Sequence, residues 1–219
     1  ARAIRLAYAG KSSALRAGGL AGEDVTALIK ARMAVVNESA SDKLMQAVPD
    51  SLKTDPLWVL SEAQRLRRKG ELEAAAKLIQ SAPRERLALV DPDEWWTERR
   101  VLARKMLDAN KPEIAYRLAA DHSASGREQF IEGEFHAGWI ALRFLKEPDK
   151  AMPHFTRAAE RAETPISRAR AAYWQGRTAE ARKARQEARQ FYQRAAQERT
   201  VYYGQLAREK LGLPNEPLQ

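Results

Sequence analysis

A repeating period is the feature of this 219-residue chain that most restricts its fold. Ala75, Ala115, Ala151 and Ala188 stand 40, 36 and 37 residues apart, and similar residue types recur around each. Four positions on lie Ile79, Ala119, Phe155 and Tyr192; seven on lie Ala82, His122, Ala158 and Ala195. Nine positions before the anchors lie Leu66, Met106, Leu142 and Ala179, and twelve before lie Ala63, Ala103, Trp139 and Gly176. A small residue where two helices cross, with a large apolar residue one turn later, matches the tetratricopeptide pattern, whose period is about 34 residues. One such unit cannot bury its apolar face alone, so neighbouring units must stack and share a core. The expected fold is therefore all-α: a right-handed superhelix, or solenoid, of tetratricopeptide-like helix-turn-helix repeats, forming a single domain over residues 1–219.

The helical period within each unit is equally plain, as in Leu57, Leu60, Ala63 and Leu66, then Leu72, Ala75, Leu78 and Ile79. The spacing predicts helices over 2–17, 23–37, 40–47, 56–69, 72–81, 93–109, 112–121, 127–145, 149–162, 166–182, 185–197 and 200–211. Turn chemistry supports this register. In Asn110-Lys111-Pro112-Glu113 and Glu147-Pro148-Asp149-Lys150 a proline occupies the first turn of the second helix, with an acid beside it at the positive end of the helix dipole. Gly70 ends a first helix in the same way. Shorter breaks at Pro83, Asp91-Pro92, Ser123-Ala124-Ser125-Gly126 and Thr164-Pro165 separate one pair from the next.

Composition removes several functions. With no cysteine, a disulfide framework, a thiolate zinc site, an iron–sulfur cluster and a cysteine nucleophile are excluded. No apolar run approaches the roughly 20 residues that span a bilayer, so no membrane span is expected. The N-terminus, Ala1-Arg2-Ala3-Ile4-Arg5, has neither an initiator Met nor the apolar stretch of a signal peptide, and reads as processed or trimmed. The net charge of +9 raises the question of nucleic acid. From Ala151 onward 13 Lys and Arg face 7 Asp and Glu, so most of the excess sits in the last third. There the arginines alternate with Ala and Glu, the pattern of a solvated helix face, and no nucleic-acid partner is expected.

Converging catalytic groups are scarce. His122, His136 and His154 form no His-x-x-x-His pair, although the last two could face one another across adjacent helices; no metal and no cofactor site is expected. Gly18-Gly19-Leu20-Ala21-Gly22 lacks the Lys-Ser or Lys-Thr of a phosphate loop and reads as a turn. Trp58, Trp95, Trp96, Trp139 and Trp174 all fall on the first helix of a pair, where one large ring fills the gap between stacked pairs. Trp95 and Trp96 are adjacent, point about 100° apart, and so are expected not to be buried together, which makes them a candidate aromatic platform for sugar or peptide. Tyr202 and Tyr203 raise the same expectation on the last helix: one ring should reach outward, toward a neighbouring domain.

Several strings resemble a known family. Trp95-Trp96-Thr97-Glu98-Arg99-Arg100, Ala115 to His122, Phe135-His136-Ala137-Gly138-Trp139, Pro165 to Arg177, Phe191-Tyr192 and Tyr202 to Ala207 are similar to the helical solenoid of bacterial soluble lytic murein transglycosylases. The resemblance covers most of the chain and is strongest from about residue 94 onward. It implies a periplasmic enzyme that cleaves peptidoglycan glycan strands without water, leaving a 1,6-anhydro sugar. In that family one glutamate acts as acid and base, within a lysozyme-like domain that follows the solenoid. The present sequence departs from the pattern at Leu213-Pro214-Asn215-Glu216-Pro217, where that domain should begin. Glu38-Ser39 with Leu44-Met45-Gln46 echoes the family's catalytic segments, but the spacing is too short and the Gly-rich substrate loop is missing, so no catalytic residue is carried over. The resemblance thus implies the non-catalytic portion of such an enzyme, with glycan strands, a downstream catalytic domain and protein partners as its contacts. Trp95, Trp96, Arg168, Arg177, Tyr202 and Tyr203 are the candidate surface for these. Two other readings stay open: a free-standing tetratricopeptide-like adaptor holding a peptide in its groove, marked by a reading frame ending near Gln219, and a basic solenoid binding RNA, marked by steep salt dependence.

Overall fold

The computed structural model describes residues 2–214. Ala1 and residues 215–219, where the family pattern would pass into a catalytic domain, lie outside the described residues. The described chain is all helical, with no strand. It divides between Ser125 and Gly126 into two compact units, at one of the breaks read from the sequence.

The first unit holds α1 (Arg2–Tyr8), α2 (Ser13–Gly19), α3 (Glu23–Val36), α4 (Asp42–Gln46), α5 (Pro56–Arg68), α6 (Leu72–Gln80), α7 (Arg86–Leu89), α8 (Pro92–Asp108) and α9 (Pro112–Ala120). The second holds α10 (Arg127–Ile140), α11 (Pro148–Arg161), α12 (Pro165–Ala181), α13 (Arg185–Ala196) and α14 (Tyr202–Lys210). The helix expected over 2–17 is broken. Gly10 takes a left-handed φ of 63°, Lys11 N–H donates to the Leu6 carbonyl at 2.9 Å, and the chain restarts as α2. The one-turn helix α7 carried no sequence signal; Val90, just after it, holds a positive φ of 65°.

Four pairs carry the period: α5/α6, α8/α9, α10/α11 and α12/α13. All four anchor alanines are buried, as are the side chains four positions on: Ile79, Ala119, Phe155 and Tyr192. Five positions before each anchor, the first helix ends on a left-handed residue: Gly70 (φ 86°), Asn110 (56°), Lys146 (59°) and Lys183 (61°). Only one is glycine, so three pairs hold a strained backbone at the same point. The next residue closes the turn by donating its N–H back into the first helix. Glu71 bonds to Leu66 O at 2.9 Å, Lys111 to Met106 O at 2.8 Å and Ala184 to Ala179 O at 2.9 Å, each spanning five residues.

The third pair departs from that rule. Glu147 N–H reaches Ala141 O at 2.9 Å, six residues back, because α10 continues into a π-turn over Ala141–Leu145. A π-turn holds one residue more than the α-helix it interrupts. The small residue facing the second helix is therefore Gly138, against Phe155, rather than position 139 found by counting back twelve. Trp139 is displaced from the expected core position: it is half-buried and meets the exposed Phe144 edge-on at 5.0 Å.

Candidate functional site

Helix α12 is fixed at its start by a capping box between Thr164 and Ser167, with Pro165 at its first position. In its middle, Gly176 lets the ring of Tyr192 on α13 lie against the backbone; a Cβ there would stand 2.6 Å from the ring. Helix α14 packs on both α12 and α13. Gly204 makes this contact, since a Cβ at that position would meet the Glu198 carbonyl. These close approaches set the spacing of the first helices, and the aromatic residues of α10, α12 and α14 consequently touch.

The contacts run in sequence. Phe135 on α10 meets Trp174 edge-on at 6.0 Å, Trp174 meets Tyr173 at 6.0 Å, Tyr173 meets Tyr203 at 5.4 Å, and Tyr203 meets Tyr202 at 5.1 Å. Trp174 and Tyr173 are buried, Phe135 and Tyr203 are half-buried, and Tyr202 is 69% exposed. Cations overlie this series: the Arg170 guanidinium lies 4.5 Å from the Phe135 ring centre, and that of Arg177 lies 6.0 Å from Trp174. Arg177 also donates to the Tyr173 hydroxyl at 3.4 Å and pairs with Glu180 at 3.3 Å. Burial pulls the pKa of Arg170 down, opposed by the Tyr203 hydroxyl and the Glu132 carboxylate. Such a surface can stack planar groups and offer hydrogen bonds to an anion.

Of the residues expected to form a surface, Tyr202, Tyr203 and Arg177 meet through Tyr173. Arg168 is exposed but occupied, donating to Glu198 at 2.7 Å and to the Glu163 carbonyl at 2.5 Å. The reading of Trp95 and Trp96 as an exposed platform is overturned, since they are 0% and 1% exposed. Their divergence does not prevent joint burial, because α8 is covered on more than one side. Trp95 Nε1 donates to the Tyr8 hydroxyl at 3.3 Å, whereas Trp96 packs edge-on against His122 at 5.8 Å. Arg170 and Phe135 were not singled out from the sequence. The signal available was their position: Arg170 lies three and four residues before Tyr173 and Trp174, hence on the same helical face.

Buried charge is concentrated elsewhere. In the first unit Arg32 donates to Gln64 at 2.6 Å and to Glu94 at 3.3 Å, and Arg67 donates to Glu98 at 2.5 and 3.1 Å. Arg99 is 1% exposed and donates only to the Ile79 carbonyl, at 3.2 Å. Its Nε and Nη1 meet no acceptor among the described residues, and burial pushes its pKa down to about 10 against the opposing pull of Asp121. In the second unit Glu134 receives Arg157 at 2.7 and 2.9 Å and lies 2.6 Å from His154 Nδ1. His136 Nδ1 lies 2.8 Å from the Glu132 carbonyl oxygen. Among the described residues no group of three or more His, Asp or Glu is arranged to hold a metal. Glu38, the carboxylate of the catalytic-like string, is 75% exposed at a left-handed turn and lies 3.8 Å from Arg68. No helix is long and apolar enough to cross a membrane among the described residues.

No protein-family model, no curated protein and no solved structure matches the chain.

Proposed function

We propose that this chain is a tetratricopeptide-like right-handed superhelix serving as the non-catalytic portion of a periplasmic soluble lytic transglycosylase, contributing scaffold and wall-polymer contacts beside a catalytic domain. The family resemblance in sequence motivates the reading. The observation that carries it is the aromatic and arginine surface of α10, α12 and α14, because planar rings beside guanidinium groups suit a polymer of sugars bearing carboxylated peptides. The equivalent caps and buried alanines of the four pairs support the repeat architecture, since a stack needs each pair to end in the same geometry.

Two measurements test this. Purified sacculi incubated with the chain should retain it at low salt and release it as ionic strength rises, because exposed charges are screened beyond about 10 Å at 0.1 M salt. Retention that ignores salt, or no retention at all, counts against the surface. The same incubation should release no soluble anhydro-muropeptides, since the family resemblance carries no catalytic acid/base residue onto this chain; release of such products would show that the chain itself carries catalytic groups.

A further inference from the structure

Three arginines lie on α12, and the fold treats them differently. Arg168 pairs with Glu198 and Arg177 with Glu180. Arg170 sits between them with its guanidinium stacked on Phe135, and no described residue forms an ion pair or accepts a hydrogen bond from it. The carboxylate of Glu132 acts on it only from beyond ion-pairing range. The ring contact holds the guanidinium in place while its N–H groups have no acceptor among the described residues, an arrangement that suits a carboxylate ligand. Beside it stand Tyr203, half-buried against Tyr173, and the exposed ring of Tyr202, neither hydroxyl having a partner in the described chain.

We infer that the face formed by Phe135, Arg170, Tyr202 and Tyr203 binds a peptide through a carboxylate, with Arg170 as the anion anchor and the two tyrosines flanking the peptide. A neutral sugar would leave the guanidinium without its counter-charge. A nucleic-acid track would need a row of free cations, whereas the two other arginines of α12 are already paired. The site stands on its own geometry; the identity of the peptide as the wall stem peptide rests on the function proposed above.

Calorimetric titration of the full chain with four probes tests the inference: free stem peptide released from purified peptidoglycan, the same peptide with its carboxylates amidated, peptide-stripped glycan, and a single-stranded RNA. The stem peptide should bind; amidation and Arg170→Gln should each weaken binding at least about tenfold, the loss expected for a charge-assisted hydrogen-bonded pair. Arg170→Lys, which keeps the charge and loses the fork, should retain part of the affinity. Tyr202→Ala, at a site too exposed to disturb folding, should weaken binding as well, and it carries the test should Arg170→Gln fail to fold. Equal affinity for the amidated peptide, unchanged binding by a folded Arg170→Gln, or unchanged binding by Tyr202→Ala overturns the site. Tighter binding of stripped glycan or of a single-stranded RNA overturns it in favour of that ligand. Sacculi retained without any binding of stem peptide would sink the inference and leave the wall-polymer reading intact; stem peptide bound without retention of sacculi would do the reverse.

Discussion

Replacing Gly176 by alanine places a methyl group where the structure has no room. The new Cβ would lie 2.6 and 2.7 Å from two ring carbons of Tyr192, which is 3% exposed. Ordinary carbon contacts are near 3.5–4.0 Å, so the ring or the α12–α13 spacing must give by roughly 1 Å. Alanine favours a helix interior over glycine by about 1 kcal/mol, and overpacking a core costs about 1–3 kcal/mol. A buried ring lacks the freedom of a flexible chain end, so the larger cost should prevail, for a net loss of about 1–2 kcal/mol. At about 2–4 °C per kcal/mol for a chain this size, the melting midpoint followed by circular dichroism should fall by about 2–8 °C. Gly19→Ala is the control: nothing lies within 4 Å of its Cβ position, so that variant should melt no lower than the parent. A Tyr192→Leu change should cost less in the Gly176→Ala background than alone, by a coupling of about 0.5–3 kcal/mol. If Gly176→Ala melts at or above the parent, the close approach of α12 and α13 is wrong, and the register assigned to the fourth pair fails with it.

Trp174→Ala should cost on the order of 3–5 kcal/mol through lost burial and the cavity left behind, and Trp139→Ala clearly less, since its ring is half-exposed; equal losses in denaturant unfolding would argue against the π-turn. Arg99→Met should be neutral or stabilising by up to about 4 kcal/mol, because it removes a buried charge with unmet donors, whereas Arg32→Met should lower stability by about 1–3 kcal/mol by stripping partners from Gln64 and Glu94. A lower melting temperature for Arg99→Met would mean that its guanidinium has a partner. Burial pushes the Tyr8 hydroxyl up to about 12, so the unfolded chain ionises first, near pH 10; stability is complete below that pH and is lost as pH rises toward 12, by roughly 3 kcal/mol. In Tyr8→Phe that decline should flatten, and an unchanged alkaline unfolding profile would place the hydroxyl in water.

How much of this was legible depends on what each level of the sequence encodes. The pairs could be read because four alanines and the residues one turn later are buried for the same reason, and burial leaves a compositional trace. The left-handed caps were legible at Gly70 but hidden at Lys146 and Lys183, where neighbouring turns force a residue with no preference for that backbone. The π-turn was invisible. It changes which residue faces the second helix without changing composition, and counting at a fixed spacing therefore put Trp139 in place of Gly138. Trp95 and Trp96 failed for a related reason: a rule about the direction of adjacent side chains says nothing of how many neighbours cover the helix. Arg170 was missed because an unpaired arginine and a paired one look alike in a sequence; only the positions of Glu198 and Glu180 separate them.

Within each unit neighbouring helices are joined laterally, and the chemistry of those contacts differs between the two, which bears on where a ligand can bind. In the first unit α5 reaches α3 and α8 through Arg32–Gln64–Glu94 and Arg67–Glu98, charged groups that satisfy one another and are mostly buried. A buried, saturated ionic contact does more to hold one register than to add stability, because a slipped pair leaves an unpaired charge in a dry environment. It also engages the carboxylates of Glu94 and Glu98 inside the unit. In the second unit the lateral contacts are aromatic, from Phe135 through Trp174 and Tyr173 to Tyr203. Rings fill space without consuming charge, so an arginine can be held in position by stacking while its hydrogen bonds stay open. The run also ends at Tyr202 with a ring that has one neighbour and open solvent beside it. If the binding face proposed on α10, α12 and α14 is correct, substitutions of equal surface area on α3, α5 and α8 should change melting without changing binding.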